Sequence, residues 1–173
     1  MSRKWRIQMH LNQTAEYALR AMSFLALYPE RLPIRAKDLA LEVDIPQHYL
    51  SKIMRKLVMA ELVTSQKGHG GGFCLAKPPG QIRFLDILEA VDYQIKPDSC
   101  VFGWGQCNNE NPCPIHHLWS DLNDKFLDWC IKSNLYKVKK KRKEADIRRS
   151  EYQQELKSKS KKIKKSKCER SEE

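Results

Sequence analysis

Apolar residues recur at helical spacing near the start of the chain, at Leu11, Ala15, Ala18, Leu19, Met22, Leu25 and Ala26. That period predicts an amphipathic helix. Asn12 or Thr14 can cap its start, and Pro29 ends it near Leu27. Residues 1–8 read as an N-terminal extension. A short helix follows over Arg35–Val43, with Leu39 and Val43 turned inward. Asp44-Ile45-Pro46 breaks it, and a second helix runs from Gln47 to about Ala60. Pro46 suits a first-turn position, where no backbone donor is needed. Leu50, Ile53, Met54 and Leu57 then form the inner face. Two short helices across a tight turn make a helix-turn-helix.

The period then changes. Leu62-Val63-Thr64-Ser65 reads as a strand, and Gly72-Phe73-Cys74-Leu75-Ala76 as its partner, joined through QKGHGGG. Four of the chain's seven glycines lie between residues 68 and 72. Such density suits a hairpin tip with positive φ and close backbone approach. A hairpin directly after a helix-turn-helix is a wing. Pro78-Pro79-Gly80 ends it, and a helix over Ile82–Val91 follows, with Phe84, Ile87, Leu88 and Val91 apolar. A longer helix is predicted from Pro114 to about Lys132. Its stripe of Ile115, Leu118, Trp119, Leu122, Phe126 and Trp129 holds more large apolar surface than a small core needs. A seam between two copies is the natural use for it, since such domains read two half-sites by pairing.

The fold class is therefore mainly α with a small β-wing: a winged helix-turn-helix domain over residues 9–98 and a long dimerisation helix over 114–136. The second helix of the pair presents Gln47, His48, Tyr49, Ser51, Lys52, Arg55 and Lys56. The wing tip presents Lys67, His69 and Gly70. These groups suit base edges and phosphates of double-stranded DNA.

Charge sharpens that picture. The formal net charge is +11, and it is unevenly placed. Residues 137–173 hold 16 Lys and Arg against 7 Asp and Glu, a net +9, which leaves +2 for the first 136 residues. The segment 137–173 reads as a basic, disordered tail with a helical tendency near Ala145–Gln154. It is either a solvated extension or a non-specific grip on nucleic acid. No run of 18 apolar residues predicts a membrane span, and MSRKWRIQ lacks a long apolar segment. No phosphate-binding glycine loop follows a strand, and no nucleophile–base pair stands out, so an enzyme is not expected.

Cysteine supplies the remaining chemistry. Cys100, Cys107, Cys113 and His116 form C-x6-C-x5-C-x2-H in CVFGWGQCNNENPCPIH. Three thiols cannot pair off as disulfides. Thiolates and imidazole are soft donors that select an iron–sulfur cluster or zinc. The spacing is looser than a zinc knuckle, and a metal-free redox thiol group is the other alternative. Residues 99–117 thus read as a cluster-binding loop. Cys74 and Cys130 read as small packing residues, and Cys168 as incidental. Grouped rather than paired cysteines fit a reducing cytoplasm.

The order of helix, helix-turn-helix, QKGHGGGFCLAKP wing, ILEAVD helix, cysteine loop and CPIHHLW resembles the IscR/NsrR-type iron–sulfur transcriptional regulators, over about Met9 to Val138. The resemblance implies a homodimer that binds promoters with two half-sites and answers to iron–sulfur status, nitric oxide or redox state. It implies Cys100, Cys107 and Cys113 as ligands of a 2Fe–2S or 4Fe–4S cluster. The fourth ligand would be His116 in one branch, or Glu16 from the partner subunit in the other; His117 is an adjacent spare. Three features depart from the pattern. The first cysteine gap holds six residues where the closest members have five. Ser51 stands where a promoter-selecting glutamate is usual, and Lys67 where an arginine usually enters the minor groove. Lysine cannot supply a bidentate fork, so the target sequence does not carry over.

Overall fold

The computed structural model describes residues 11–94, 100–102, 110 and 112–145. The expected extension at residues 1–8, Cys107 and the tail beyond residue 145 lie outside the described residues. The chain forms two units, Met1–Lys137 and Val138–Glu173.

Helix α1 spans Gln13–Leu27. Asn12 is its cap, and its side-chain oxygen accepts from the Ala15 N–H at 2.9 Å. Ala15, Ala18, Ala21, Met22, Phe24, Leu25 and Ala26 are buried, a wider face than the spacing predicted. Helix α2 spans Ala36–Glu42 and helix α3 spans Gln47–Met59. All four predicted inner residues of α3 are buried. Each such side chain contributes about 1.5–3 kcal/mol on leaving water. Pro46 sits at the cap of α3 rather than inside its first turn.

Strands β1 (Val63–Gln66) and β2 (Gly72–Leu75) form the antiparallel wing, with Val63 opposite Leu75 and Gln66 opposite Gly72. A third segment joins them. Ile34 exchanges both backbone hydrogen bonds with Phe73, at 2.8 and 3.2 Å. A side chain on Gly72 would run into the Ile34 carbonyl, so glycine there lets the wing lie against the residues before α2.

Helix α4 spans Phe84–Ala90, shorter than the predicted Ile82–Val91. Ile82 is extended after a 3-10 turn over Pro79–Gln81. Arg83 is the cap: its N–H donates to Asp86 Oδ2 at 2.8 Å and its guanidinium to Asp86 Oδ1 at 2.6 Å. Burial pushes the Asp86 carboxyl up, but these bonds from Arg83 outweigh it and hold the group below its usual range. Helix α5 spans His116–Lys132. It starts two residues later than predicted, because Cys113-Pro114-Ile115 form a turn closed by the His116 N–H on the Cys113 carbonyl at 2.9 Å.

The expected disorder of the tail begins too early. Residues 135–145 are helical. Asn134 explains this, since its side-chain oxygen accepts from the Lys137 N–H at 3.0 Å and caps the new turn. Among the described residues, no helix is long and apolar enough to cross a membrane.

Helices α2, α3 and α4 end alike. Asp44, Glu61 and Asp92 take φ of 51°, 55° and 59°. In each case the next N–H returns to the carbonyl five residues back: Ile45 to Ala40, Leu62 to Leu57 and Tyr93 to Leu88, all at 3.0 Å. This is a Schellman end, where glycine is the usual residue. A non-glycine residue pays a steric penalty there. The Glu61 carboxylate forms no ion pair among the described residues. Glu61→Gly is therefore expected to raise unfolding free energy by about 0.5–1 kcal/mol. Thermal and urea denaturation would measure it, and a loss of stability would show that the strain is absent.

Candidate DNA interface and cysteine loop

The outer face of α3 carries the predicted reading residues. Gln47, His48, Tyr49, Ser51, Lys52 and Arg55 are all exposed. Their position follows from the inner face: once Leu50, Ile53, Met54 and Leu57 pack inward, the alternate positions face outward. The Ser51 hydroxyl donates to the Gln47 carbonyl at 2.9 Å. Its remaining lone pairs then make it an acceptor, matched to base amino groups. The His48 and Tyr49 rings lie 4.3 Å apart. Tyr49 borders a cleft of about 210 Å³ between α3 and the start of α1, shared with Gln13, Thr14, Tyr17 and Lys52.

Lys52 and Arg55 have no ion-pair partner among the described residues. Lys56, grouped with them as a phosphate contact, is placed differently. Its Nζ lies 2.6 Å from Asp92 Oδ2. Asp92 is the Schellman residue of α4 and opens the segment leading to the cysteines. Sequence spacing carried no signal for this pair, which joins residues 36 apart. At the wing tip Lys67, His69 and Gly70 are exposed. Gly70 has φ +79° and Gly68 φ +97°, so a bulkier residue at either would strain the turn.

The cysteine loop is described in part. Cys100 and Cys113 are half-buried thiols. Cys113 lies one turn before His116, which is 4% exposed at the start of α5. His117 is exposed, its ring 5.4 Å from that of His116. Among the described residues no three His, Cys, Asp or Glu side chains converge as a metal-holding group, and Cys107 lies outside them. The donors present suit a soft metal: two thiols at the ends of the loop and one buried imidazole. Glu16 is on the exposed side of α1, 2.6 Å from Arg20, and is not gathered with the cysteines by its own chain. Cys130 is fully buried beside Ala15 and Leu88, and burial pushes its thiol up to about 11. It is a packing residue. Cys74 is half-buried in β2 opposite Thr64.

The predicted stripe on α5 does not form the core. The buried positions are His116, Asn123 and Cys130, two turns apart each time. Leu118, Leu122 and Trp129 stay exposed, Leu118 by 75%. Phe126 and Trp129 only edge the domain, with Trp129 packing 4.9 Å from Phe84. Past the helix end, Phe84 N–H donates to Ser133 O at 3.0 Å and Leu135 N–H to Ile82 O at 3.1 Å. This stitch to the base of the wing was not visible in the sequence.

A helix-turn-helix with outward cations, followed at once by a glycine-tipped wing, defines a winged DNA-binding transcriptional regulator. The family model Rrf2, described as iron-dependent transcriptional regulator, matches residues 11–140, and the chain belongs to this family. It is 36% identical over 123 residues to a helix-turn-helix-type transcriptional regulator of Aquifex aeolicus, covering 70% of this chain and 85% of that one. It is 35% identical over 118 residues to the transcriptional regulator IscR of Cronobacter sakazakii, covering 68% and 72%. Among solved structures, the cysteine regulator CymR of B. subtilis aligns with a TM-score of 0.63 at 23% identity, over 75% of this chain and 95% of that one. IscR of T. potens aligns with a TM-score of 0.61 at 21% identity, over 78% and 89%. These two show the same winged fold. The chain is a transcriptional regulator and not an enzyme.

The Lys56–Asp92 pair generates a test. It holds one cation of α3 on the protein instead of on phosphate. In Asp92→Asn the left-handed backbone is tolerated and Lys56 is released. Affinity for duplex DNA is expected to rise, and the log–log salt slope to steepen by about 0.9, as for one added phosphate interaction. A titration across salt with an unchanged slope would show that Lys56 does not reach DNA.

Proposed function

We propose that this regulator's promoter binding is controlled by an iron–sulfur cluster held by Cys100, Cys107, Cys113 and His116, and that it works as a homodimer. One observation carries the reading: a buried imidazole stands one turn from a half-buried thiol, at the start of a helix whose far end is stitched to the wing. When bound, a cluster supplies a thiolate-ligated centre that reacts with oxidants and nitric oxide. Cys113 and His116 fix the start of α5. Ser133 and Leu135 fix its end to the strand-to-helix corner at Ile82–Phe84. Asp92 ties the near side of the loop to α3 through Lys56. A change in the loop therefore bears on both the reading helix and the wing. To act as a switch it must alter DNA affinity by about 1–3 kcal/mol.

His116 is the better fourth ligand, because it is buried beside Cys113 whereas Glu16 is engaged with Arg20. Absorption spectra with iron and sulfide analysis, on protein purified without oxygen, test this. Visible bands are expected, lost in Cys107→Ala and weakened or shifted in His116→Ala, while Glu16→Ala keeps them. Far-ultraviolet circular dichroism of each variant checks the fold. Loss of the bands in Glu16→Ala alone would move the fourth ligand to the partner subunit. A colourless protein with one zinc would replace the reading with zinc-stabilised DNA binding, and a colourless metal-free one with thiol-based sensing.

The dimer rests on the exposed Leu118, Leu122 and Trp129 of α5. Three large apolar groups on one helix face are a poor fit to water. Leu118→Lys with Leu122→Lys is expected to yield a monomer by analytical ultracentrifugation and to cost at least tenfold in affinity for a two-half-site duplex. A dimer that survives both changes would place the seam elsewhere.

A further inference from the structure

We propose that the basic segment beginning at Lys139 is a second, sequence-independent grip on double-stranded DNA, which acts beside the winged domain on the same duplex. Four observations lead to it. The family match ends at residue 140, so almost all of this segment lies beyond what the family's shared fold requires. The charge is there as well: a net +9 over residues 137–173 against +2 for everything before.

Five of the twelve Lys and Arg described between residues 11 and 136 are engaged as well, while Lys52 and Arg55 have no ion-pair partner among the described residues. Arg20, Arg31, Lys56, Arg83 and Lys132 each sit within 2.6 Å of a carboxylate oxygen. A winged domain within a stretch of net charge +2 draws less on the electrostatic attraction that dominates non-specific DNA affinity than a segment of net +9 does.

Finally, the described part of the segment has the geometry of an unselective grip. Residues 138–145 are helical, and Lys139, Lys140, Lys141, Arg142 and Lys143 are consecutive. Successive residues turn by about 100° on a helix, so five in a row put a cation on every side. Lys140, Lys141, Arg142 and Lys143 are exposed. No apolar face survives at these positions, as a helix lying in a membrane surface would need. Ten more Lys and Arg follow in the sequence. Duplex DNA is favoured over RNA because the chain already carries a duplex-reading domain. A tethered cationic segment then meets phosphate at an effective concentration near the millimolar range.

The test uses the full chain with Lys139, Lys140, Lys141, Arg142 and Lys143 all changed to Gln, which keeps helix-forming residues. Binding to a duplex of scrambled sequence is measured across salt. The slope of log affinity against log salt is expected to become shallower by up to about 4, at roughly 0.9 for each phosphate the segment no longer neutralises, with affinity down at least tenfold at low salt. An unchanged slope overturns the proposal. So does a loss confined to a scrambled RNA hairpin, or to vesicles of phosphatidylglycerol and phosphatidylcholine. The same titration on metal-free protein should give the same change. A missing cluster would therefore show in the spectrum and leave this result intact.

Discussion

Two backbone hydrogen bonds, Phe84 to Ser133 and Leu135 to Ile82, govern how the rest of the molecule can work. Alone they are weak, at about 0.5–1.5 kcal/mol each. Leu135, fully buried beside them, adds about 1.5–3 kcal/mol. Burial of this leucine thus contributes about as much as the two hydrogen bonds together, and the hydrogen bonds set its register. Asn134 reinforces the corner by donating to the Gly80 carbonyl at 3.2 Å. Everything between residues 84 and 133 is thereby a closed excursion that leaves the wing base and returns to it. Cys100, Cys107 and Cys113 lie inside that excursion.

Helix α5 is the rigid member of the excursion, and its surface divides by angle. One face, at His116, Asn123 and Cys130, turns to its own chain. The adjoining face, at Leu118, Leu122 and Trp129, is apolar and open. A third, at Asp121, Asp124 and Asp128, is acidic and exposed. Burying the second face in the core would require the helix to roll about a third of a turn. That roll would expose Cys130, set Asn123 free and pull the Trp129 ring away from Phe84. His116, Asn123 and Cys130 thus occupy the inner face, while Leu118, Leu122 and Trp129 are left outward.

Much of this is legible in the sequence. Periodicity places α1, α2 and α3 to within a residue or two, since each has a cap or a proline at its edge. The glycine cluster locates the wing. The inward set of α3 is complete, and with it the set of residues exposed on its outer face. The differences have three causes. Helix ends at Asp44, Glu61 and Asp92 carry no glycine, so nothing local announces three left-handed residues. The stripe on α5 reads as one apolar face, although a 3.6-residue period cannot say which side meets its own chain. Pairings across long separations, Lys56 with Asp92 and Ile82 with Leu135, leave no trace in a single sequence.

The two halves of the candidate site differ in how they depend on the fold. The candidate DNA-contact side chains sit on α3 and the wing, whose backbones are pinned by the core and by the Ile34–Phe73 exchange. The cysteines instead lie on a segment anchored at its borders, by the Schellman turn at Asp92 and the turn at Cys113. The candidate DNA face and the cysteine loop are thus separated along the chain and rejoined at three points: Lys56, the Ile82–Phe84 corner and the first turn of α5. Their strengths are unequal. Lys56–Asp92 is an exposed pair, worth about 1 kcal/mol or less, whereas the corner is held by buried apolar packing. The ion pair is therefore the weaker and the corner the stronger of these connections.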